Sequence, residues 1–255
     1  IALNLYCKLP FGKLHRANPL IVDVAARMGR TPSSLSMKLC NLAALDPVQQ
    51  ARGIRGLSGV SKQDRQMWEE FHKNLPALGP QSEQIVHDLF TEDDTIDLDF
   101  LHRDRVRLQA KSEKIPVGPT EVSAQVKVRR GQQFFRQSVL NAYGVRCCIS
   151  GIHVPSLLVA SHIKPWRVCA EERLNLRNGL CLSSLHDAAF DAGLITLDEQ
   201  MKVVLSKSLK SYFPQTLLEQ NFTAFEGECI RLPEKIAQPD PELLAYHRTK
   251  IFVGI

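Results

Sequence analysis

LLVASHIKPWRVCAEERLNLRNGLCLSSLHDAAFDAGLI, residues 157–195, places His162, Asn178 and His186 between short apolar runs and turn signals. The apolar run at 156–163 is rich in residues that favour strands, and Pro165 prevents a strand or helix from simply continuing. We therefore expect a strand that ends near His162, followed by an irregular loop.

The second half of this stretch predicts a turn, a short strand and a helix. Asn178-Gly179 is a strong turn signal, and the apolar run LCL follows it. Either Ser183 or Ser184 can cap the helix, which places His186 and Asp187 in its first turn. The order strand, loop, turn, strand, helix puts His162 on one arm and His186 with Asp187 on the other.

This combination of residue types suits hydrolysis of a phosphodiester. The reaction needs a base that takes a proton from water and a cation that neutralises charge on the phosphate and the leaving oxygen. A neutral histidine with a pKa of about 6.5 suits the first task. An imidazole or carboxylate at a helix start can hold a divalent metal, and an amide can tether both sides of a loop without titrating.

Length and composition predict a globular protein with two domains. The chain has 255 residues, of which 44% are hydrophobic and 23% charged, and this composition fits one large or two ordinary domains. No apolar run approaches the roughly 18 residues of a membrane span, and the first residues lack the layout of a signal peptide. We expect a cytoplasmic protein that does not contact a membrane.

Cysteine content and net charge limit the possible functions further. The chain has 7 cysteines, none of them at C-x-x-C spacing, and a formal net charge of +5. Reduced and mostly buried thiols are therefore expected, rather than a disulfide framework or a four-cysteine zinc site. The modest positive charge permits a polyanionic partner without requiring one.

The uneven placement of charge predicts the domain boundaries. An acidic stretch at 90–100 and a basic stretch at 129–140 flank a segment rich in Pro, Gly, Ser and Lys. We expect a helical domain at 1–89, a connector at 90–122 and a second domain at 123–255.

Residues 19–45 predict a helix, a tight turn and a second helix. Gly29 suits a helix C-terminus, Thr31 a following N-cap and Pro32 the first helical position. This geometry occurs in DNA-reading helix-turn-helix units and also in plain helical hairpins. Basic neighbours, including Lys13, His15 and Arg16, favour nucleic-acid binding. The expected DNA-binding residues of this unit are Arg30, Thr31, Ser33, Ser34 and Lys38.

A second basic segment, VRRGQQFFRQSVLNAY, predicts a helix that docks on DNA. Its expected apolar face consists of Phe134, Phe135, Val139 and Leu140. Its expected polar, DNA-binding face consists of Arg129, Arg130, Gln132 and Arg136. Lys164, close to His162, is expected to bind the DNA backbone.

Three segments together resemble the HNH nucleases with a ββα-metal motif, and specifically the subgroup found in bacterial restriction-type endonucleases. They are RRGQQFFRQSVLNAYGVRCCISG (129–151), VASHIKPW (159–166) and NGLCLSSLHDAAFDAGLITLD (178–198). GRTPSSLSMKLCNL (29–42) is also similar to the N-terminal region of such proteins. The resemblance implies a ββα fold that ends in a small strand pair and a closing helix.

The resemblance also implies a role for each motif residue. His162 would be the general base, and Asn178 would brace the loop and through it the orientation of His162. His186 would hold Mg²⁺ or Mn²⁺, with Asp187 as the second choice because it stands where several family members have a second histidine. Ser161 departs from the pattern, since many members have a metal-binding Asp there. Paired C-x-x-C motifs for structural zinc have no counterpart, so no zinc is expected.

The sequence therefore predicts an α+β protein, with an N-terminal helix-turn-helix-like domain and a C-terminal ββα-metal HNH domain. Its expected activity is metal-dependent cleavage of double-stranded DNA. Cutting both strands of a symmetric site favours a homodimer. Two alternatives stay open: a DNA-binding regulator whose HNH-like domain is catalytically inactive, and a structural module that binds RNA or branched DNA.

Overall fold

The computed structural model describes residues 1–54, 60–93, 96–101, 106–110, 119–166, 168–233 and 238–254. These residues form helices and two-stranded antiparallel sheets, an α+β architecture that confirms the predicted fold class. They divide into two compact units, Ile1–Ala142 and Tyr143–Pro233 together with 238–254. Within the described part of the chain, no helix combines the length and the apolar character needed to cross a membrane.

The first unit is mainly helical. Its helices are α1 (Ala2–Lys8), α2 (Pro19–Arg27), α3 (Pro32–Ala43), α4 (Pro47–Ala51), α5 (Lys62–Lys73), α6 (Leu75–Asp88) and α7 (Pro119–Ala142). Strands β1 (Ile96–Asp99) and β2 (Arg107–Ala110) form an antiparallel hairpin. Helix α1 packs against α3, α6 and α7, so it forms the centre of the helical core.

Local sequence signals account for the α2–α3 pair. Gly29 has a φ of +62°, the left-handed conformation that glycine adopts after a helix end. The Thr31 hydroxyl accepts a hydrogen bond from the Ser34 N–H at 3.2 Å, and Pro32 begins the next helix. The predicted helix, tight turn and second helix are thus present.

Helix α7 belongs to the first unit and not to the second. It packs on α1 and α6, and the predicted apolar residues Phe134, Phe135, Val139 and Leu140 are all buried. The structural division at 142/143 therefore differs from the predicted domain start at 123. The β1–β2 pair also lies in the predicted connector, of which 94–95, 102–105 and 111–118 fall outside the described residues.

Charged side chains are buried where α1, α6 and α7 meet. Lys8 Nζ lies 2.5 Å from Glu83 Oε2, and both side chains are fully buried. Asn4 Nδ2 donates to the same Glu83 oxygen at 2.9 Å. Arg130 is 1% exposed and donates from Nε to Gln84 Oε1 at 3.0 Å. The prediction that Arg130 lies on an exposed, DNA-binding face is therefore wrong.

The second unit contains the remaining elements. These are β3 (Leu158–His162), β4 (Gly179–Ser183), α8 (Ser184–Asp191), β5 (Ile195–Leu197), β6 (Val203–Leu205), α9 (Lys207–Lys210), α10 (Thr216–Asn221) and α11 (Pro241–Lys250). β3 pairs with β4, and β5 pairs with β6, both antiparallel. The strand pair and the closing helix implied by the resemblance are present, and the Asp240 side chain caps α11.

Small thiols fill part of the core of the second unit. Cys147, Cys148 and Cys181 are all buried. All seven cysteines lie among the described residues, and each is a free thiol, as the sequence predicted. Packing rather than covalent cross-links therefore holds this unit together.

His247 connects the closing helix α11 to α8 and β5. Its Nε2 donates to the Phe190 carbonyl at 3.0 Å, and its Nδ1 is 2.9 Å from the Thr196 hydroxyl. The ring stacks on Phe190 with centroids 3.7 Å apart. Burial lowers the pKa of His247 to about 4, so the folded protein holds this ring neutral.

Acid will destabilise the protein through His247. The unfolded chain protonates this residue at about 6.5, so the contribution to stability is complete above that pH and is lost as pH falls toward 4. Linkage gives a loss of up to about 3 kcal/mol in the free energy of unfolding at pH 4. Urea unfolding between pH 7 and 4.5 should show a weaker pH dependence for His247→Gln. Identical pH dependence in the two proteins would contradict this assignment.

Candidate active site

A β-hairpin and the helix after it position the predicted site residues. His162 is the last residue of β3 and pairs with Gly179, while Leu158 pairs with Ser183 at the other end of the hairpin. The Ser183 side chain accepts a hydrogen bond from the His186 N–H and so begins α8. α8 packs against both strands. The predicted order of strand, loop, turn, strand and helix is therefore present.

The side chain of His162 has a defined orientation. Its Nε2 lies 3.0 Å from the backbone carbonyl of Arg173. A carbonyl only accepts hydrogen bonds, so Nε2 carries a hydrogen, and in the neutral ring the lone pair is on Nδ1. Burial lowers the pKa of His162, although the Arg173 carbonyl and the charge of Asp187 act in the opposite direction. His162 is therefore a base whose neutral form is favoured.

Asn178 holds the loop that carries this carbonyl. Its side-chain oxygen accepts from the Lys164 N–H at 2.8 Å, and its Nδ2 donates to the carbonyls of Lys164 and Glu172, each at 3.1 Å. Asn178 is 1% exposed. One buried amide thus joins the two ends of the loop, immediately beside the carbonyl that contacts His162.

Arg173 and Trp166 form a further contact across the same loop. Arg173 Nε donates to the Trp166 carbonyl at 3.0 Å, and the guanidinium carbon lies 5.1 Å from the Trp166 ring. The Trp166 ring meets the His162 ring edge to face, with centroids 5.4 Å apart. The sequence analysis did not predict that either residue contacts His162. The one available signal was their position in the loop that follows His162.

His186 lies in the interior, with partners on both ring nitrogens. Nδ1 lies 2.9 Å from Ser183 Oγ and 3.6 Å from Cys147 Sγ, and Nε2 lies 2.7 Å from the Asn221 carbonyl. The residue is 1% exposed. The Asn221 carbonyl only accepts, so Nε2 carries a hydrogen, and the lone pair of the neutral ring, on Nδ1, is already engaged by Ser183 and Cys147. In this arrangement both ring nitrogens of His186 are engaged, and its role as the first-choice metal ligand stays a prediction.

The Cys147 thiol and His186 form a buried polar pair. Burial raises the pKa of Cys147, but hydrogen bonds from His186 and Ser150 outweigh it and lower the pKa to about 6. Burial lowers the pKa of His186, while its contacts with Cys147 and the Asn221 carbonyl raise it above its usual value. The pair anchors the start of α8. The sequence predicted reduced, mostly buried thiols, and nothing in it indicated this contact.

Asp187 and Asp191 place carboxylates one turn apart on α8. The charge of Asp187 acts on the pKa of His162, so this carboxylate lies within electrostatic range of the imidazole. Burial raises the pKa of Asp191, and the neighbouring Asp187 raises it further. Asp187, the second-choice ligand from the sequence, is thus the helix residue that acts on His162.

Ser161 is buried directly before His162 on β3. It is 2% exposed, and its hydroxyl has no hydrogen-bond partner among the described residues. No cluster of three or more His, Cys, Asp or Glu side chains suited to a metal ion is found in the described ranges.

The predicted DNA-binding residues differ in how accessible they are. In the first unit, Arg30, Thr31, Ser33, Ser34 and Lys38 are exposed, and Lys38 Nζ forms an ion pair with Asp64 at 2.5 Å. On α7, Gln132 is exposed, Arg129 and Arg136 are half-buried, and Arg130 is buried. Lys164 is half-buried in the second unit, with Nζ 5.0 Å from the centroid of the Tyr246 ring. The structure therefore leaves only part of the predicted basic surface open.

The β3–β4 hairpin and α8, which packs on both strands, make up a ββα unit with a histidine at a strand end and a carboxylate on the helix. Residues 147–198, about one fifth of the chain, match the family model of the HNH endonucleases. They form an HNH endonuclease domain within the second unit. A comparison with curated proteins finds no match to the chain.

Loss of the Asn178 amide will release the loop and the orientation of His162. Asn178→Ala removes three hydrogen bonds and should lower the free energy of unfolding by about 2 to 3 kcal/mol. Urea unfolding measures the loss, and ¹⁵N NMR of the His162 ring should report a mixture of tautomers.

Asn175→Ala is the matched control for Asn178→Ala. The Asn175 side chain accepts from the Arg177 N–H at 3.0 Å and donates to the Glu172 side chain at 2.7 Å, both local contacts. Its loss should cost about 1 kcal/mol and leave the His162 tautomer unchanged. Equal losses in the two variants, with unaltered His162 nitrogen shifts, would show that Asn178 has no special role.

Proposed function

We propose that the protein is a metal-dependent, restriction-type HNH endonuclease that hydrolyses phosphodiester bonds of double-stranded DNA. The observation that carries this proposal is the fixed ring of His162, whose Nε2 is bonded to the Arg173 carbonyl. Its remaining nitrogen can therefore accept a proton, and Asp187 lies within electrostatic range. The HNH endonuclease domain at 147–198 supports nuclease chemistry.

His162 acts as the general base in the proposed reaction. Its Nδ1 takes a proton from a water molecule, and the oxygen of that water attacks the phosphorus. The bond from phosphorus to the leaving oxygen of the nucleic acid breaks, and that oxygen takes up a proton from solvent. Burial favours the neutral form of His162 that this step requires.

The carboxylate of Asp187 fits a hard divalent cation such as Mg²⁺ or Mn²⁺. Mg²⁺ in phosphoryl-transfer sites is held by one or two protein carboxylates together with phosphate oxygens and water. Asp187 is the proposed first ligand, and Asp191 supplies the second carboxylate of the same face. When bound, the cation neutralises charge that develops on the phosphate and the leaving oxygen. His186, with both nitrogens bonded, is left out of the proposed ligand set.

Both units contribute to the proposed contact with duplex DNA. Lys164 lies two residues after the base and can bind the phosphate backbone beside the cut. The α2–α3 pair of the first unit has the geometry of a helix-turn-helix. Two active sites are needed to cut both strands of a symmetric site, so we propose a homodimer.

A DNA-binding regulator with an inactive HNH domain is the second candidate. Ser161 favours it, because a buried serine hydroxyl stands where many HNH enzymes have a metal-binding carboxylate. A carboxylate at 187 and, one turn later, at 191 favours the enzyme. Cleavage assays separate the two candidates.

Cleavage of plasmid DNA, modified and unmodified, in Mg²⁺, Mn²⁺ or EDTA tests the proposed activity. Wild type should cut in the presence of a divalent metal and stop in EDTA. His162→Ala should lose at least about a hundredfold in rate while retaining DNA binding in a gel-shift assay. Binding without cleavage in every metal and every DNA would favour the regulator instead.

Substitutions at two adjacent helix positions will separate the metal ligand from the structural histidine. Asp187→Asn should weaken Mn²⁺ binding, measured by calorimetry, and abolish cleavage, because a neutral amide replaces the carboxylate. Its free energy of unfolding should change by less than about 1 kcal/mol. His186→Gln should instead destabilise the fold by about 2 kcal/mol or more, because it leaves buried groups unpaired. Strong Mn²⁺ binding by Asp187→Asn would remove Asp187 from the ligand set.

A further inference from the structure

Helix α3 separates two depressions on the surface of the first unit. On one side, a cleft of about 490 Å³ is lined by Phe11, Leu14, His15, Arg16, Ser33 and Met37; we call it the α3 cleft. On the other side, a groove of about 680 Å³ is lined in part by Arg30, Ser34, Lys38, Asp64, Met67 and Glu70; we call it the α3–α5 groove. The DNA-binding residues predicted from the sequence are therefore distributed over two different surfaces.

The wall of the α3 cleft is fixed to α3 by hydrogen bonds. The Leu14 carbonyl accepts from the Ser36 hydroxyl at 2.5 Å and from the Cys40 thiol at 3.8 Å. Asn18 Nδ2 donates to the Lys13 carbonyl at 2.6 Å, which closes the loop that precedes α2. These hydrogen bonds hold the loop at 11–18 at a fixed distance from α3 and so define the shape of the cleft.

The rim of the α3 cleft is basic. His15 and Arg16 line the cleft, and Lys13 lies in the chain between the lining residues Gly12 and Leu14. All three are exposed, and none of them forms an ion pair among the described residues. Asp23 is the only acidic residue of the first 45, and its carboxylate pairs with Arg27 at 3.2 Å. Positive charge on this side is therefore available to an anionic partner.

The α3–α5 groove differs in charge. Lys38 Nζ is bonded to Asp64 Oδ1 at 2.5 Å, and Asp64 also forms the capping box of α5 with Ser61. Glu70 adds a second carboxylate to the lining, beside apolar side chains such as Met67, which is 51% exposed. A polyanion placed here would meet two carboxylates, a lysine that is already paired and the guanidinium of Arg30.

We propose that the α3 cleft, and not the α3–α5 groove, is the DNA-binding surface of the first unit. Arg16 and Lys13 contact phosphates of the duplex. Ser33 and Met37, which is 58% exposed, lie where α3 can approach a sugar or a base edge. Charge complementarity between the unpaired basic rim and the phosphate backbone selects duplex DNA as the occupant. The assignment rests on the proposed function, since it presumes that the protein binds DNA.

Three single substitutions, each of which removes one positive charge, test this assignment. Arg16→Ala, Lys13→Ala and Lys38→Ala are made in a His162→Ala background, so that cleavage does not interfere. Binding of a fluorescent 30-base-pair duplex is measured by anisotropy at several salt concentrations in EDTA, after circular dichroism and urea unfolding have shown that each variant folds. The Arg16 and Lys13 variants should each weaken the affinity about fivefold or more. They should also reduce the slope of log K against log salt by about 0.9. The Lys38 variant should change the affinity less than twofold and keep the slope.

The possible results separate this proposal from the proposed function. The assignment of DNA binding to the α3 cleft would be overturned if Lys38→Ala lost as much affinity as Arg16→Ala. Unchanged binding in both the Arg16 and the Lys13 variants would overturn it as well. If the wild-type enzyme also cuts DNA in those cases, the nuclease proposal stands alone. Preference for RNA over duplex DNA, or no binding to either, would overturn both the cleft assignment and the DNA substrate.

Discussion

The need to pair the backbone of one loop governs the geometry around His162. The described residues between β3 and β4 form no ladder, so their buried N–H and C=O groups need other partners. Asn178 supplies three of these partnerships from one buried amide. An amide can donate and accept at the same time and does not titrate. The hydrogen bonds that join the two ends of the loop therefore do not depend on the charge of Asn178, which does not titrate.

Features of the fold that depend on neighbouring residues were predictable. Gly29, Thr31 and Pro32 mark the boundary between two helices, and Ser183 marks the start of a third, because caps and turns involve residues only two or three positions apart. The position of His162 at a strand end followed from Pro165 in the same way. The resemblance then supplied the candidate roles of His162 and Asn178, which local signals alone could not have given.

Choices that depend on distant residues were not predictable. Whether His186 or Asp187 acts on His162 depends on Cys147 and Asn221, which lie 39 and 35 positions away and fix His186 in the interior. Arg130 is buried because Gln84, 46 positions away, accepts its hydrogen bond. The ion pair between Lys38 and Asp64 was not predictable for the same reason. A sequence gives the number of basic residues but not which of them form ion pairs in the fold.

The carboxylate at 187 also links the base to the cation that we propose. Three influences act on the pKa of His162: burial lowers it most, and the Arg173 carbonyl and the Asp187 charge raise it. The Arg173 contact fixes the ring, so it cannot be removed without losing the orientation. The Asp187 charge by itself does not help His162 to act as a base. A negative neighbour stabilises the protonated ring, and the protonated ring cannot accept a further proton. If the Asp187 charge were neutralised, only the Arg173 carbonyl would oppose the lowering of the His162 pKa by burial. A cation held by Asp187 would neutralise that charge and so would favour the neutral form of His162 that the proposed reaction requires.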